Sequence, residues 1–144
     1  MGLDMYLSAK KYLWQANDED QQLNRDIQQK VKINRRVKEI IIEAMYWLKA
    51  NQIHNWFVEN VQNGEDECKS HDVSRQDLEK LLNACQVALE RKDSNILPPT
   101  KGFFFGGTEI DDYYWSDIQE TADEVKKILA EFDDSWEFEY CSSW

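Results

Sequence analysis

The stretch that most limits what this chain can fold into runs from Tyr46 to Val61. Two tryptophans, a tyrosine, a phenylalanine, a histidine and three asparagines fall within sixteen residues, with neither Gly nor Pro to interrupt a helix. At a period of 3.6, Tyr46, Ala50, Ile53, Phe57 and Val61 form one apolar stripe. Trp47, Asn51, His54 and Val58 form a second, mixed stripe beside it. A helix that only filled a core would carry Leu and Ala there. Amide and imidazole groups beside large aromatics suit either the wall of a ligand site or a buried polar network, and both readings stay open. Asn63-Gly64 ends the helix with residues that tolerate a left-handed backbone.

The segment leading in, Val37 to Met45, is ambiguous by period. Its three consecutive isoleucines favour a buried strand feeding the aromatic helix. The competing reading is one long helix over residues 35–62. Upstream, Leu3, Met5 and Leu7 alternate with Asp4, Tyr6 and Ser8, which predicts a half-buried strand over Gly2–Ser8. Asn17 to Gln29 is polar, with only Leu23 and Ile27 at helical spacing, so residues 15–35 read as a surface helix or a mobile insertion.

Downstream, residues 65–72 read as an acidic loop. Ser74 and Asp77 have capping-box spacing, and Val73 can staple onto Leu78. The helix they start buries Leu78, Leu81, Leu82, Cys85, Ala88 and Leu89. Pro98-Pro99 blocks helix in the following turn. Gly102–Thr108 reads as a short aromatic strand and corner. A further helix starts at Asp111, with Tyr114, Ile118, Thr121, Val125, Ile128, Leu129 and Phe132 at helical spacing, and Trp136, Phe138 and Tyr140 alternate in a last strand. The expectation is one domain over residues 1–144: an α+β fold with a small, mostly antiparallel sheet and helices packed on one face.

Charge is segregated along the chain. The net charge of −11 combines +2 over residues 1–50 with −13 over residues 51–144, and the part after Gly102 holds twelve acids and two lysines. Such a field opposes direct nucleic-acid binding and favours a basic partner or plain solubility. Three irregularly spaced cysteines make no disulfide framework. With no signal-like start and no long apolar run, the expected setting is cytoplasmic and away from membranes.

Four constellations could carry chemistry. In the first, Trp47, Lys49, Asn51, His54 and Asn55 face Phe104, Phe105, Tyr113 and Tyr114 across Gly106-Gly107 and clamp a planar polar ligand such as a nucleotide base. The plainer alternative is an aromatic core. In the second, Cys68-Lys-Ser-His71 spaces half a zinc site but has no second pair, and no metal or other cofactor is expected. In the third, Glu109 and Asp111, with His54, could serve a metal-assisted hydrolase; a solvated helix start explains the same acids. In the fourth, nucleic-acid mimicry, the twelve acids that follow Gly102 present a phosphate-like row to a basic host surface with aromatics as anchors, and Glu109, Asp111, Asp112, Asp117 and Glu120 are the expected partner-binding residues. Self-association into a homo-oligomer is a further expectation.

Four blocks carry a resemblance: Met1-Gly-Leu-Asp-Met-Tyr-Leu7, Tyr46-Trp47 to Phe57-Val58 with its Ala-Asn-Gln-Ile-His, Gly102-Phe-Phe-Phe-Gly-Gly-Thr-Glu109, and Trp136-Glu-Phe-Glu-Tyr-Cys-Ser-Ser-Trp144. In these the chain resembles a family of small proteins of bacteriophages and prophage-bearing bacteria, with residues 15–35 the least similar part. The family brings no catalytic residues to carry over. The resemblance implies an accessory factor acting in a bacterial host cell. It would inhibit a host defence component through an acidic aromatic surface, or sequester a nucleotide signal in an aromatic pocket.

Overall fold

The computed structural model describes residues 2–102 and 105–144. The elements follow in the order β1 (Asp4–Tyr12), α1 (Asp18–Val31), β2 (Glu39–Leu48), α2 (Asn51–Asn60), β3 (His71–Val73), α3 (Arg75–Arg91), α4 (Asp112–Glu131) and β4 (Glu137–Ser143). The four strands form one antiparallel sheet in the order β2-β1-β4-β3, and the fold is α+β.

Alternation explains the sheet. Leu3, Met5, Leu7 and Ala9 on one side of the N-terminal segment are completely buried, and their register partners Trp47, Met45, Tyr140 and Phe138 are buried with them. Side chains from α2, α3 and α4 complete that core, whereas α1 contributes none. The opposite face of the sheet carries Tyr6, Ser8, Lys10, Tyr46 and Glu139, all half-buried or exposed. Two opposite charges meet there, Lys10 and Glu139, and this pairing raises the lysine's affinity for its proton.

Elements with clear caps and spacing sit as expected. Ser74 and Asp77 exchange both capping-box hydrogen bonds, at 3.0 and 2.9 Å. The Asp111 carboxylate accepts from the Tyr114 N–H at the start of α4. Residues 15–35 contain a helix whose Asn17 cap is intact, with only Asp20 and Asn24 buried.

Three expectations need correction. Tyr46, Trp47 and Leu48 are strand, not helix, so neither the helix from Tyr46 nor the continuous helix over 35–62 forms. Lys49, at φ 56°, turns the chain between β2 and α2 in the left-handed region without a glycine to announce it. The isoleucines do lie in a strand, but not a buried one. Ile41 is 60 % and Ile42 40 % exposed, because β2 is an edge strand and a bulge opposite Leu7 and Ser8 resets its facing. Finally, no described residue of Gly102–Thr108 is in a strand, and Phe103 and Phe104 lie outside the described residues. The fourth strand is instead His71–Val73, which overlaps the end of the loop expected over residues 65–72 and pairs with Phe138–Tyr140.

The α3–α4 contact has a polar clamp. The Arg75 guanidinium donates to the Phe132 carbonyl at 2.6 Å and to the Leu129 carbonyl, two groups at the end of α4 that the helix cannot pair itself. Arg75→Met should therefore cost about 1–2 kcal/mol, as a lowered urea midpoint with unchanged slope. An unaltered midpoint would refute the clamp.

Candidate functional site

The residues that sequence reasoning grouped around the aromatic stretch separate into a closed interior and an open recess. The interior comes first, because the packing of α2 sets it. Seven of its ten residues are buried, including Asn51, Gln52 and His54. Each polar group among them needs a partner, since an unpaired one would cost about 1–3 kcal/mol.

His54 is fully buried and both ring nitrogens are engaged. The Asp66 carboxylate, 2.9 Å from Nε2, can only accept, so Nε2 carries the proton and Nδ1 accepts from the Tyr140 hydroxyl at 2.6 Å. The Trp144 indole donates to the same Asp66 oxygen. Burial pushes the imidazole's proton affinity down, against the pull of Asp66, and burial also raises the Tyr140 phenol well above its ordinary range. Phe105 meets the His54 ring edge-on at 5.1 Å, closing that side.

Asn51 is a clip. Its amide donates to the carbonyls of Phe105 at 3.1 Å and Gly107 at 2.9 Å, and its oxygen accepts from the Thr100 N–H at 3.0 Å. This fastens the Thr100–Gly107 loop onto the start of α2. Trp47 is in the core, its indole donating to Thr121. Tyr114 is buried, with its hydroxyl on the Leu97 carbonyl at 2.6 Å. Asn55 lines a separate shallow hollow with Trp56 and Leu97.

The open recess, of about 310 Å³, lies on the outer side of that clip. Lys49 and Gln52 line it from the β2–α2 junction, Gly106, Gly107 and Glu109 from the loop, and Asp111, Tyr113 and Asp117 from α4. Gly106, at φ 85°, holds a backbone that only glycine adopts freely, and a Cβ there would sit 3.4 Å from that of Lys49. Of the grouped residues, then, Lys49, Glu109, Asp111, Tyr113 and Asp117 meet in the recess. Trp47 and His54 do not, and Asn51 and Tyr114 reach its wall with their polar groups already spent. Asp112 and Glu120 are exposed on α4. Phe104 lies outside the described residues.

Electrostatically the recess is acidic, with three carboxylates to one ammonium. Asp117 is half-buried, and its carboxyl is pushed up to about 6 by that burial and by Glu120 and Asp111, while the Gln52 amide pulls it back. Asp111 instead sits at the helix start, where the free N–H groups favour negative charge. Among the described residues no three His, Cys, Asp or Glu side chains are placed to hold a metal ion. Cys68 is exposed, and His71, its companion in the half-site spacing, pairs with Glu67 at 3.1 Å. Sequence reasoning missed Gln52, Asp66, Thr121 and Tyr140. Each is a polar group whose partner is distant in the chain or carries no pattern.

Two titrations follow, with opposite signs. His54 binds a proton less readily folded than unfolded, so stability should fall as the pH drops below about 6.5. His54→Gln should flatten that slope in urea titrations between pH 7.5 and 5; an unchanged slope would place the acid sensitivity elsewhere. Asp117 holds its proton more tightly folded, so stability falls as the pH rises from about 4 to about 6. Asp117→Asn should therefore stabilise at pH 7.5 by about 1 kcal/mol after solvent screening, a gain that disappears below pH ~4. A destabilised variant at pH 7.5 would contradict this. Set against family models, curated proteins and solved structures, the chain matches none of them.

Proposed function

We propose that the protein works by binding and not by catalysis, as a phage-type accessory factor whose acidic, aromatic face occupies a basic surface of a host defence component. The setting comes from the family resemblance. The observation that carries the binding mode is Tyr113. Its ring is 81 % exposed, next to Ile110 at 45 %, at the rim of the acidic recess. A phenol ring held in water, with no stacking or hydrogen-bonding partner among the described residues, is suited to insert into a partner's pocket. Glu109, Asp111, Asp112 and Glu120 around it supply a rim that steers a cationic surface toward it.

The charge balance favours this over capture of a nucleotide signal. Three carboxylates around a single lysine repel a phosphate, and the Trp47, Asn51 and His54 side chains assigned to hold a base are engaged with the protein itself. The hydrolase alternative would bring His54 to Glu109 and Asp111. His54 is enclosed among Tyr140, Asp66 and Phe105, and it does not line the recess.

The test is a photo-crosslinking residue at position 113, with one at Lys80 as the control, in a bacterial lysate. The expected result is a basic protein attached at position 113 only, lost at high salt and after reversal of Asp111, Asp112 and Glu120 to lysine. Crosslinking indifferent to both salt and reversal would end the proposal. In parallel, nucleotides should leave the melting temperature unchanged; a shift abolished by Lys49→Ala would revive ligand capture.

A further inference from the structure

A second surface, at the other end of the molecule, has the opposite character. Residues 25–38 hold six basic side chains and one acid, Asp26, within a chain of net charge −11. Arg36 is used locally, its guanidinium on the Tyr12 hydroxyl and the Leu13 carbonyl. Lys30, Lys32, Arg35 and Lys38 make no side-chain hydrogen bond or ion pair among the described residues and are exposed. Between them stand Val31 and Ile33, 55 % and 56 % exposed.

This tip is built, not loose. The Asn24 amide oxygen accepts from the Val37 N–H at 2.7 Å, Asp20 accepts from the Trp14 N–H at 3.0 Å, and Gln28 donates to the Arg35 carbonyl at 2.6 Å. All of these tie α1 to its own flanking chain. Helix α1 gives no side chain to the core, and these bonds hold the tip in a fixed geometry.

The complementary surface is on the same chain. A cavity of about 420 Å³ is bordered by Asp72, Asp77, Asp133, Asp134 and Glu137, with half-buried Trp136 as an apolar wall. Arg75, the cation among its lining residues, is spent on the carbonyls of α4, and Lys11 reaches its margin, donating to Ser135 at 2.9 Å with its ammonium 5.9 Å over the Trp136 ring. The cavity includes β3, while the tip leads into β2, and these two strands are the opposite edges of the sheet. The cavity also takes in Glu137 and Phe138 of β4, so β1 stands between it and the tip; among the described residues the tip's free cations make no ion pair with the cavity's acids, which leaves both for a neighbouring copy.

We propose that the protein self-associates head to tail, the basic α1–β2 tip of one copy seated in the acidic β3-edge cavity of the next. Nucleic acid or an anionic membrane would also attract the tip, but the acidic remainder of the chain repels either one. A second copy turns that remainder into the attracting surface. Such an interface is heterologous, so it generates a ring or an open chain and not a two-fold dimer.

The experiment is light scattering on the purified full chain. At low salt the wild type should form species larger than a dimer as concentration rises, returning to monomer at about 0.5 M salt, where screening reaches a few ångströms. A tip variant (Lys30→Gln, Lys32→Gln, Arg35→Gln) and a cavity variant (Asp134→Asn, Glu137→Gln), neutral so that the altered surfaces do not attract each other, should each be monomeric. Mixed in equal amounts, they retain one intact tip and one intact cavity between them, and should stop at a 1:1 dimer. All the substituted residues are exposed, and circular dichroism of each variant confirms that it is folded. The proposal is overturned by a monomeric wild type at every concentration, by a mixture that stays monomeric, or by assembly that survives both variants. Anionic vesicles or duplex DNA, added as competitors, should bind weakly; tip-dependent binding to either by a monomeric wild type would reassign the surface.

Discussion

Tyr140 is held by two different forces at once, and the placement of the middle of the chain follows from it. Its ring stacks on Phe57 with centroids 3.9 Å apart and planes within 6°, while its hydroxyl donates to His54 one turn earlier on α2. The stack supplies apolar burial, and the hydrogen bond fixes how α2 is rotated against the sheet. Through His54 the same hydroxyl governs Asp66, and so where the loop after α2 turns back. Strand β4 sits inside the sheet, between β1 and β3, although it comes last in the chain. A late strand entering the centre of a sheet needs a specific seat, because its pairings close long loops and the contacts made must offset the entropy lost on closure. Tyr140 provides that seat. A phenylalanine would keep the burial and lose the rotation.

How legible the fold is in sequence depends on whether an element's signal is local. Helices α3 and α4 could be read because their caps and apolar spacing are written within a few residues: Ser74 with Asp77, Asp111 with Tyr114. Strands β1 and β4 could be read because alternation survives along them. The middle resisted for two physical reasons. The bulge in β2 displaces Ala44 from the pairing, so residues on either side of it alternate out of phase and no single period describes the strand. Lys49 then adopts a conformation that sequence patterns assign to glycine, and the turn from strand to helix passes unmarked. Tyr46 happens to lie four residues before Ala50, which made a strand residue look like the first turn of a helix. Strand β3 is three residues held by β4, and nothing in His71-Asp72-Val73 states that by itself.

The candidate site was legible in the same uneven way. Lys49 and Tyr113, expected in a ligand clamp, and Glu109, Asp111 and Asp117, expected on a separate charged face, line one recess. The asparagine that motivated the first grouping builds its wall, and the histidine lies in the closed interior behind it. This division has a general cause. A sequence discloses that a polar side chain stands among aromatics, and a polar side chain there must be paired with something, but it does not disclose whether the partner is a ligand or the backbone of a distant loop. For Asn51 the partners are three backbone groups some fifty residues away in the chain.

Segregation of charge is what connects the two surfaces. Solubility alone is served as well by acids and bases interspersed, and gathering like charges costs self-repulsion. Part of the acidity has a structural reason: Asp111 and Asp112 at the start of α4 answer the dipole of that helix. Asp117 has no such reason. It stands beyond the first turn, half-buried, with its carboxyl raised toward neutrality by burial and by neighbouring acids. In the basic cluster at the end of α1, Lys30 answers the dipole of that helix, but Lys32, Arg35 and Lys38 make no side-chain hydrogen bond or ion pair among the described residues. Charges that the fold neither needs nor neutralises are the ones left free to meet something else. The apolar side chains left in water beside them, Ile110 and Tyr113 at one end and Val31 and Ile33 at the other, supply the contact that charge alone would not hold.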